Sequence, residues 1–161
     1  MTKKLIVDSS PLIVLLKSDL ENILHELFEE IIVPEAVWQE VLAGKEDDIA
    51  KQKLSHLAWA KRTAEINSTE IIKNYNLGKG ETSVLNLALT ITESRVLLDD
   101  YAARKCAKAL NLQSLGTAGL LILAKRKNLI SSVSEAVEKV RFSGLWLSDE
   151  ITKLIKERAG E

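Results

Sequence analysis

Short apolar runs alternating with amphipathic helical stretches predict an α/β domain, with helices covering both faces of a small, mainly parallel sheet. Three observations carry this expectation. Leu5-Ile6-Val7, Ile31-Ile32-Val33 and Val96-Leu97-Leu98 are apolar throughout, as strands buried on both faces are. A helical stretch follows each run, and strand–helix–strand order implies parallel neighbours. Aromatic residues are only 4% of the chain, so Leu, Ile, Val and Ala must build the core.

The elements follow in order. After the first run, Ser9-Ser10-Pro11 offers a hydroxyl cap and a proline suited to the first helical position, predicting a short helix over Leu12 to Lys17. A second helix is expected from Leu20 to Phe28, with Asp19 near its cap. Pro34 opens a helix reaching about Leu42, and Gly44 ends it. Asp47 to Leu54 reads as helical, Trp59 lies in a weak strand signal, and Ser68 starts a helix to about Tyr75. Gly78-Lys79-Gly80 breaks the chain before a strongly amphipathic helix from Glu81 to Thr92. A helix from Tyr101 to Leu110 follows the third run. Ser114-Leu115 suggests a short fourth strand, and Gly116-Thr117 turns into a helix ending near Arg126. The last third is helical, with Gly144 as its break.

A length of 161 residues suits one domain. The formal net charge of −1 announces no nucleic-acid partner, so any such partner needs a local basic patch. A single cysteine, Cys106, excludes an internal disulfide and a cysteine-rich zinc site; at its place among Ala102, Ala103, Ala107 and Leu110 it reads as a small buried apolar residue. Two histidines exclude most histidine-built metal centres. Asp8 interrupts the N-terminal apolar stretch far short of a signal-peptide core, and no run is long enough to span a bilayer, so a cytoplasmic protein is expected.

In parallel sheets, ligands bind beyond the carboxyl ends of the strands. Asp8 directly follows the first strand and Asp99 the third. Each alone reads as a helix cap; two at two strand ends suggest one site. Glu81 shares a helical face with Val84, Leu85 and Ala88, which places a carboxylate at the end of a buried stripe. Glu40 lies near Val37 and Val41, and alone it reads as a surface residue. Four converging acids without histidine suit Mg²⁺ or Mn²⁺, which prefer carboxylate and water oxygens. Such a site activates water and steadies a leaving oxygen in phosphodiester cleavage.

The segments Leu5-Ile6-Val7-Asp8-Ser9-Ser10-Pro11-Leu12-Ile13, Val33-Pro34-Glu35-Ala36-Val37 through Glu40-Val41, Leu77-Gly78-Lys79-Gly80-Glu81, Val96-Leu97-Leu98-Asp99-Asp100 through Ala103-Arg104, and Leu115-Gly116-Thr117-Ala118-Gly119-Leu120-Leu121 resemble, in order and spacing, the PIN-domain ribonucleases. The compact VapC-like toxin subgroup, often described only as predicted nucleic-acid-binding proteins, is the more specific likeness. The resemblance covers about residues 4–127 and implies a three-layer α/β/α sandwich, with a helical C-terminal part over about 128–161 in the same domain. It implies a catalytic set of Asp8, Glu40, Glu81 and Asp99, with Asp8, Glu81, Asp99 and Asp100 toward the metal. Ser9 would support the site. Many PIN nucleases carry Thr-x-Asp where this chain has Leu98-Asp99-Asp100, so either aspartate fills the fourth position, Asp99 being nearer the strand.

Substrate contacts are expected from Ser9, from Arg104 one helical turn beyond Asp100, and from Thr117, where a loop enters a helix with free N–H groups. Thr117 reads equally as a plain cap. Lys79, Lys105, Lys108 and Lys125-Arg126-Lys127 are further basic candidates. The expected function is a metal-dependent endoribonuclease acting on RNA, paired with a small antitoxin protein. A homodimer is expected too, from the Leu- and Ile-rich stretches Pro11–Lys17 and Leu20–Phe28 and from the resemblance. A non-cleaving module that binds RNA or protein on the same fold is the alternative. An aspartyl phosphotransferase fits less well, because the Asp-x-Asp such enzymes favour has Ser10 at its second position.

Overall fold

The computed structural model describes residues 4–161. It contains a five-stranded, all-parallel sheet flanked by helices, in the order β3-β2-β1-β4-β5. The strands are β1 (Lys4–Val7), β2 (Glu30–Pro34), β3 (Ala60–Thr63), β4 (Ser94–Leu97) and β5 (Gln113–Leu115). The helices are α1 (Ser9–Lys17), α2 (Asn22–Leu27), α3 (Glu35–Leu42), α4 (Ile49–Leu54), α5 (Glu70–Lys73), α6 (Lys79–Thr90), α7 (Tyr101–Ala109), α8 (Thr117–Arg126), α9 (Val133–Phe142) and α10 (Asp149–Ala159).

The three central strands are the three apolar runs. Leu5, Ile6, Val7, Ile31, Ile32, Val33, Val96 and Leu97 are all buried, because helices cover both faces. The edge strands carry polar residues, which discourages pairing with another chain. On β3, Lys61 pairs with Glu30 at 2.8 Å, and Arg62 grips Glu35 with two 2.6 Å bonds while lying over the Trp38 ring.

The chain builds β1, β2 and β3 outward on one side, then returns to lay β4 against the other side of β1. The strand order therefore reverses between β1 and β4, and this reversal opens the crevice where α/β sheets bind ligands. The Asp8 N–H donates to the Leu97 carbonyl at 3.1 Å, so hydrogen bonding between β1 and β4 continues to the floor of that crevice.

Three helix starts differ from the sequence reading by one or a few residues. α1 begins at Ser9, with Asp8 as its cap residue, so Pro11 is third in the helix. Proline is tolerated there because first-turn N–H groups have no partner within the helix. Pro34 ends β2 and precedes α3, and Gly78 precedes an α6 that begins two residues before Glu81. The expected apolar surplus on α1 and α2 is small, with Ile13 and Leu27 only partly buried. Leu12, Leu15, Leu16, Leu20, Ile23, Leu24 and Phe28 are all buried within the chain. Gly144, at φ +113°, makes the break between α9 and α10 in a backbone region that side chains rarely adopt.

Candidate active site

Asp8 sits at the crevice floor. It is 3% exposed, occupies the cap position of α1, and makes no capping bond with its side chain. Its Oδ1 is buried with no hydrogen-bond partner. Burial pushes the Asp8 carboxyl up to about 7, and nearby Glu81, Glu40 and Asp99 push the same way against a lowering bond from the Ser9 backbone.

Glu40 comes from the last turn of α3. Its Oε1 accepts the Gly80 N–H at 2.9 Å, and its Oε2 accepts the Ser9 hydroxyl at 2.5 Å. Gly80 is the residue the sequence reading missed. A Cβ there would stand 2.7 Å from Glu40 Oε1 and 3.0 Å from Asp8 Oδ1, so only glycine lets α6 approach the two acids this closely. Its signal was the glycine pair ahead of an amphipathic helix, which reads first as a simple break.

Glu81 is half-buried on the first turn of α6, one turn before the buried Val84 and Leu85 and two before Ala88. Its Oε2 accepts the Gly78 N–H at 3.2 Å. Burial raises its carboxyl above the usual range, the Gly78 bond opposes this, and Asp100 and Glu40 add repulsion. Asp99 accepts two bonds from Thr117, 2.7 Å from the N–H and 2.6 Å from the hydroxyl. Asp100 caps α7 by accepting the Ala103 N–H at 2.9 Å.

The fold thus brings Asp8, Glu40, Glu81, Asp99 and Asp100 to one end of the sheet, where they repel one another. Ser9 is buried and holds Glu40; Thr117 is fully buried and holds Asp99. Arg104 is exposed beside Asp99: a Cβ added to Gly116 would lie 3.2 Å from both side chains. The other basic candidates separate. Lys125 bonds the Ser131 carbonyl and pairs with Glu161, and Arg126 holds the Arg158 carbonyl, so both brace the helical region. Lys79, Lys105 and Lys108 remain exposed.

A divalent cation fits the chemistry of this site. The donors are hard carboxylate oxygens, and Asp8 Oδ1 is a buried acceptor with nothing to accept from. Among the described residues, no three His, Cys, Asp or Glu side chains are already arranged around a common ion position. Glu40, Glu81, Asp99 and Asp100 are each held by a protein donor. No described helix is long and apolar enough to cross a membrane.

No curated protein matches the chain. A family model does, the one designated DUF3368 and described as a PIN domain, over residues 4–161. The match includes the C-terminal helices that lie beyond the resembling motifs. PIN domains are commonly nucleases and generally use divalent metal ions. With acids at the strand reversal of a parallel sheet and a family match along the described length, the chain belongs to the PIN-domain family.

Proposed function

We propose that the chain is a metal-dependent endoribonuclease that takes Mg²⁺ or Mn²⁺. The carrying observation is the buried Asp8 carboxylate at the strand reversal, whose Oδ1 has no hydrogen-bond partner, with Glu40, Glu81 and Asp99 crowding it. Left without a cation, that arrangement costs stability, which natural sequences tolerate at sites of function. Asp8 would hold the ion, with Glu81, Asp99 and Asp100 as the carboxylates at hand. The bound ion supplies an activated water and a counter-charge for the departing oxygen. Ser9 and Gly80 hold Glu40 in place beside Asp8, and Thr117 fixes the plane of Asp99 from two atoms. Arg104 stands free beside Asp99 to meet a phosphate.

The VapC-like resemblance supports a toxin role against a small antitoxin partner, in the cytoplasm and as a homodimer. A non-cleaving RNA- or protein-binding module is favoured by a different observation, the protein donors already holding four of the five carboxylates. Incubation with tRNA, rRNA and mRNA in Mg²⁺ or Mn²⁺, against an Asp8→Asn control, separates the two readings. Metal-dependent cleavage lost in the control supports the nuclease. Cleavage retained by a folded Asp8→Asn protein contradicts it. Light scattering at tens of micromolar, a range suited to weak dimers, tests the homodimer, which a monomer would exclude.

A further inference from the structure

Tyr101 is 80% exposed at the first position of α7, directly after Asp99 and Asp100. Arg104, Lys105 and Lys108 follow at intervals of three, four and seven residues, which puts all four on one helical face. The opposite face, Ala103, Cys106 and Ala107, is buried. Many other cations of the chain are paired: Lys17 with Asp48, Lys53 with Asp19 and Glu21, Lys61 with Glu30, Arg62 with Glu35. Among the described residues, no ion pair engages Arg104, Lys105 or Lys108. The four side chains line an open groove of 840 Å³ whose wall includes Asp99. An aromatic ring beside unpaired cations, in a groove that runs into a carboxylate centre, has the parts of a single-strand track: charges for the backbone and a flat face for a base.

We infer that the α7 groove takes single-stranded RNA next to the cleavage centre, with an unpaired base stacked on Tyr101 and the backbone along Arg104, Lys105 and Lys108. The stripe is about 10 Å long at the helical rise per residue, the length of about three stacked nucleotides. Bases inside a duplex are already stacked on both faces, so none away from its ends can cover the ring. Tyr101 is therefore a positioning residue that selects unpaired RNA, while the lysines act on any phosphate chain. The inference rests on the nuclease reading for the bond that is cut, but not for the binding.

The test is fluorescence anisotropy in the Asp8→Asn protein without divalent ions, using a labelled single-stranded RNA 12-mer of mixed sequence and its blunt duplex. Adding Tyr101→Ala weakens single-strand binding at least about fivefold, the low end of base–aromatic stacking. Tyr101→Phe restores it, and duplex affinity stays within about twofold, below the cost of a lost stack. Lys105→Ala and Lys108→Ala each reduce the salt slope of single-strand binding by about 0.7. Unchanged single-strand affinity in Tyr101→Ala overturns the inference, as does an equal loss for both RNAs, or no binding of either RNA before Tyr101 is changed. The two proposals fail separately. RNA bound through Tyr101 but left intact by the wild type with Mg²⁺ or Mn²⁺ removes the nuclease alone. Cleavage whose KM and kcat ignore Tyr101→Ala removes the stacking groove alone.

Discussion

Two carboxylates at opposite kinds of place are treated in opposite ways. Glu161 receives the Val133 N–H at 2.7 Å, the Ser134 N–H at 3.2 Å, and the hydroxyls of Ser132 and Ser134 at 3.0 and 2.8 Å. Lys125 lies 3.7 Å away. Those donors, the Val133 bond first, hold its carboxyl down to about 2, and the residue ties the start of α9 to the end of α10. Asp8 is more deeply buried and gets nothing at Oδ1, so its carboxyl rises to about 7. One acid is a joint of the fold. The other is a cost carried by the fold, at the crevice where strand order reverses. With no donor at Oδ1 and three acids beside it, Asp8 is the carboxylate of the crevice left open to a partner from outside the chain.

The contrast can be broken most sharply through activity. Asp8→Asn keeps the shape but removes the charge, and RNA cleavage at saturating Mn²⁺ falls about a hundredfold or more. Asp100→Asn falls less, because Asp100 is exposed and already caps α7. Single-turnover rates on folded variants check the ranking. Next in size is Gly80→Ala. Its methyl group meets Glu40 and Asp8, and displaced reacting groups lose about tenfold to a hundredfold in rate. Near-normal far-ultraviolet circular dichroism with lost cleavage is the expected outcome, and unchanged cleavage contradicts the close approach.

The strands of the centre were legible in the sequence because burial on both faces leaves Leu5-Ile6-Val7, Ile31-Ile32-Val33 and Val96-Leu97 no polar residue. The edge strand Ala60–Thr63 was not, beyond a weak signal at Trp59. Its Lys61 and Arg62 are exposed and pair with Glu30 and Glu35, and only pairing with β2 makes the segment a strand. At the site, acids after strands were visible as residues, but their duties were not. Nothing in the spacing of Ser9 and Glu40 announces a bond across 31 positions, nor Thr117 reaching back to Asp99. Those contacts depend on how α1 meets α3 and how α8 meets the end of β4, which is information about the sheet order rather than about any local pattern.

Smaller effects sharpen the same comparison through stability. Thr117→Val removes a buried hydroxyl from Asp99 and costs about 1–3 kcal/mol in urea unfolding, since the carboxylate is left short of a donor. Loss well below that range would show that Thr117 is not a main support. The pH dependences run in opposite directions. Folded Glu161 keeps its charge down to about 2 against an ordinary 4.5, so its contribution is full above 4.5 and fades as pH falls toward 2. Glu161→Gln removes that acid-side part of the profile with a small drop in Tm. Folded Asp8 holds its proton up to about 7 against an ordinary 3.8, so the folded state binds more protons in that window and loses stability as pH rises through it. Asp8→Asn flattens that part of the profile.

The most direct measurement is urea unfolding of wild type and Asp8→Asn at pH 8, each without divalent ions and with millimolar Mn²⁺. The rise of Asp8 from 3.8 to about 7, by burial first and then by repulsion from its neighbouring acids, corresponds to a few kcal/mol of penalty on the charged form, at about 1.4 kcal/mol per pH unit. Without the ion, the variant is therefore more stable than wild type. With it, wild type gains stability, by about 2.7 kcal/mol at a hundred times the dissociation constant, and the variant does not. A variant no more stable than wild type, or equal stabilisation of both by Mn²⁺, would contradict the claim that Asp8 is left unsatisfied in order to hold a cation.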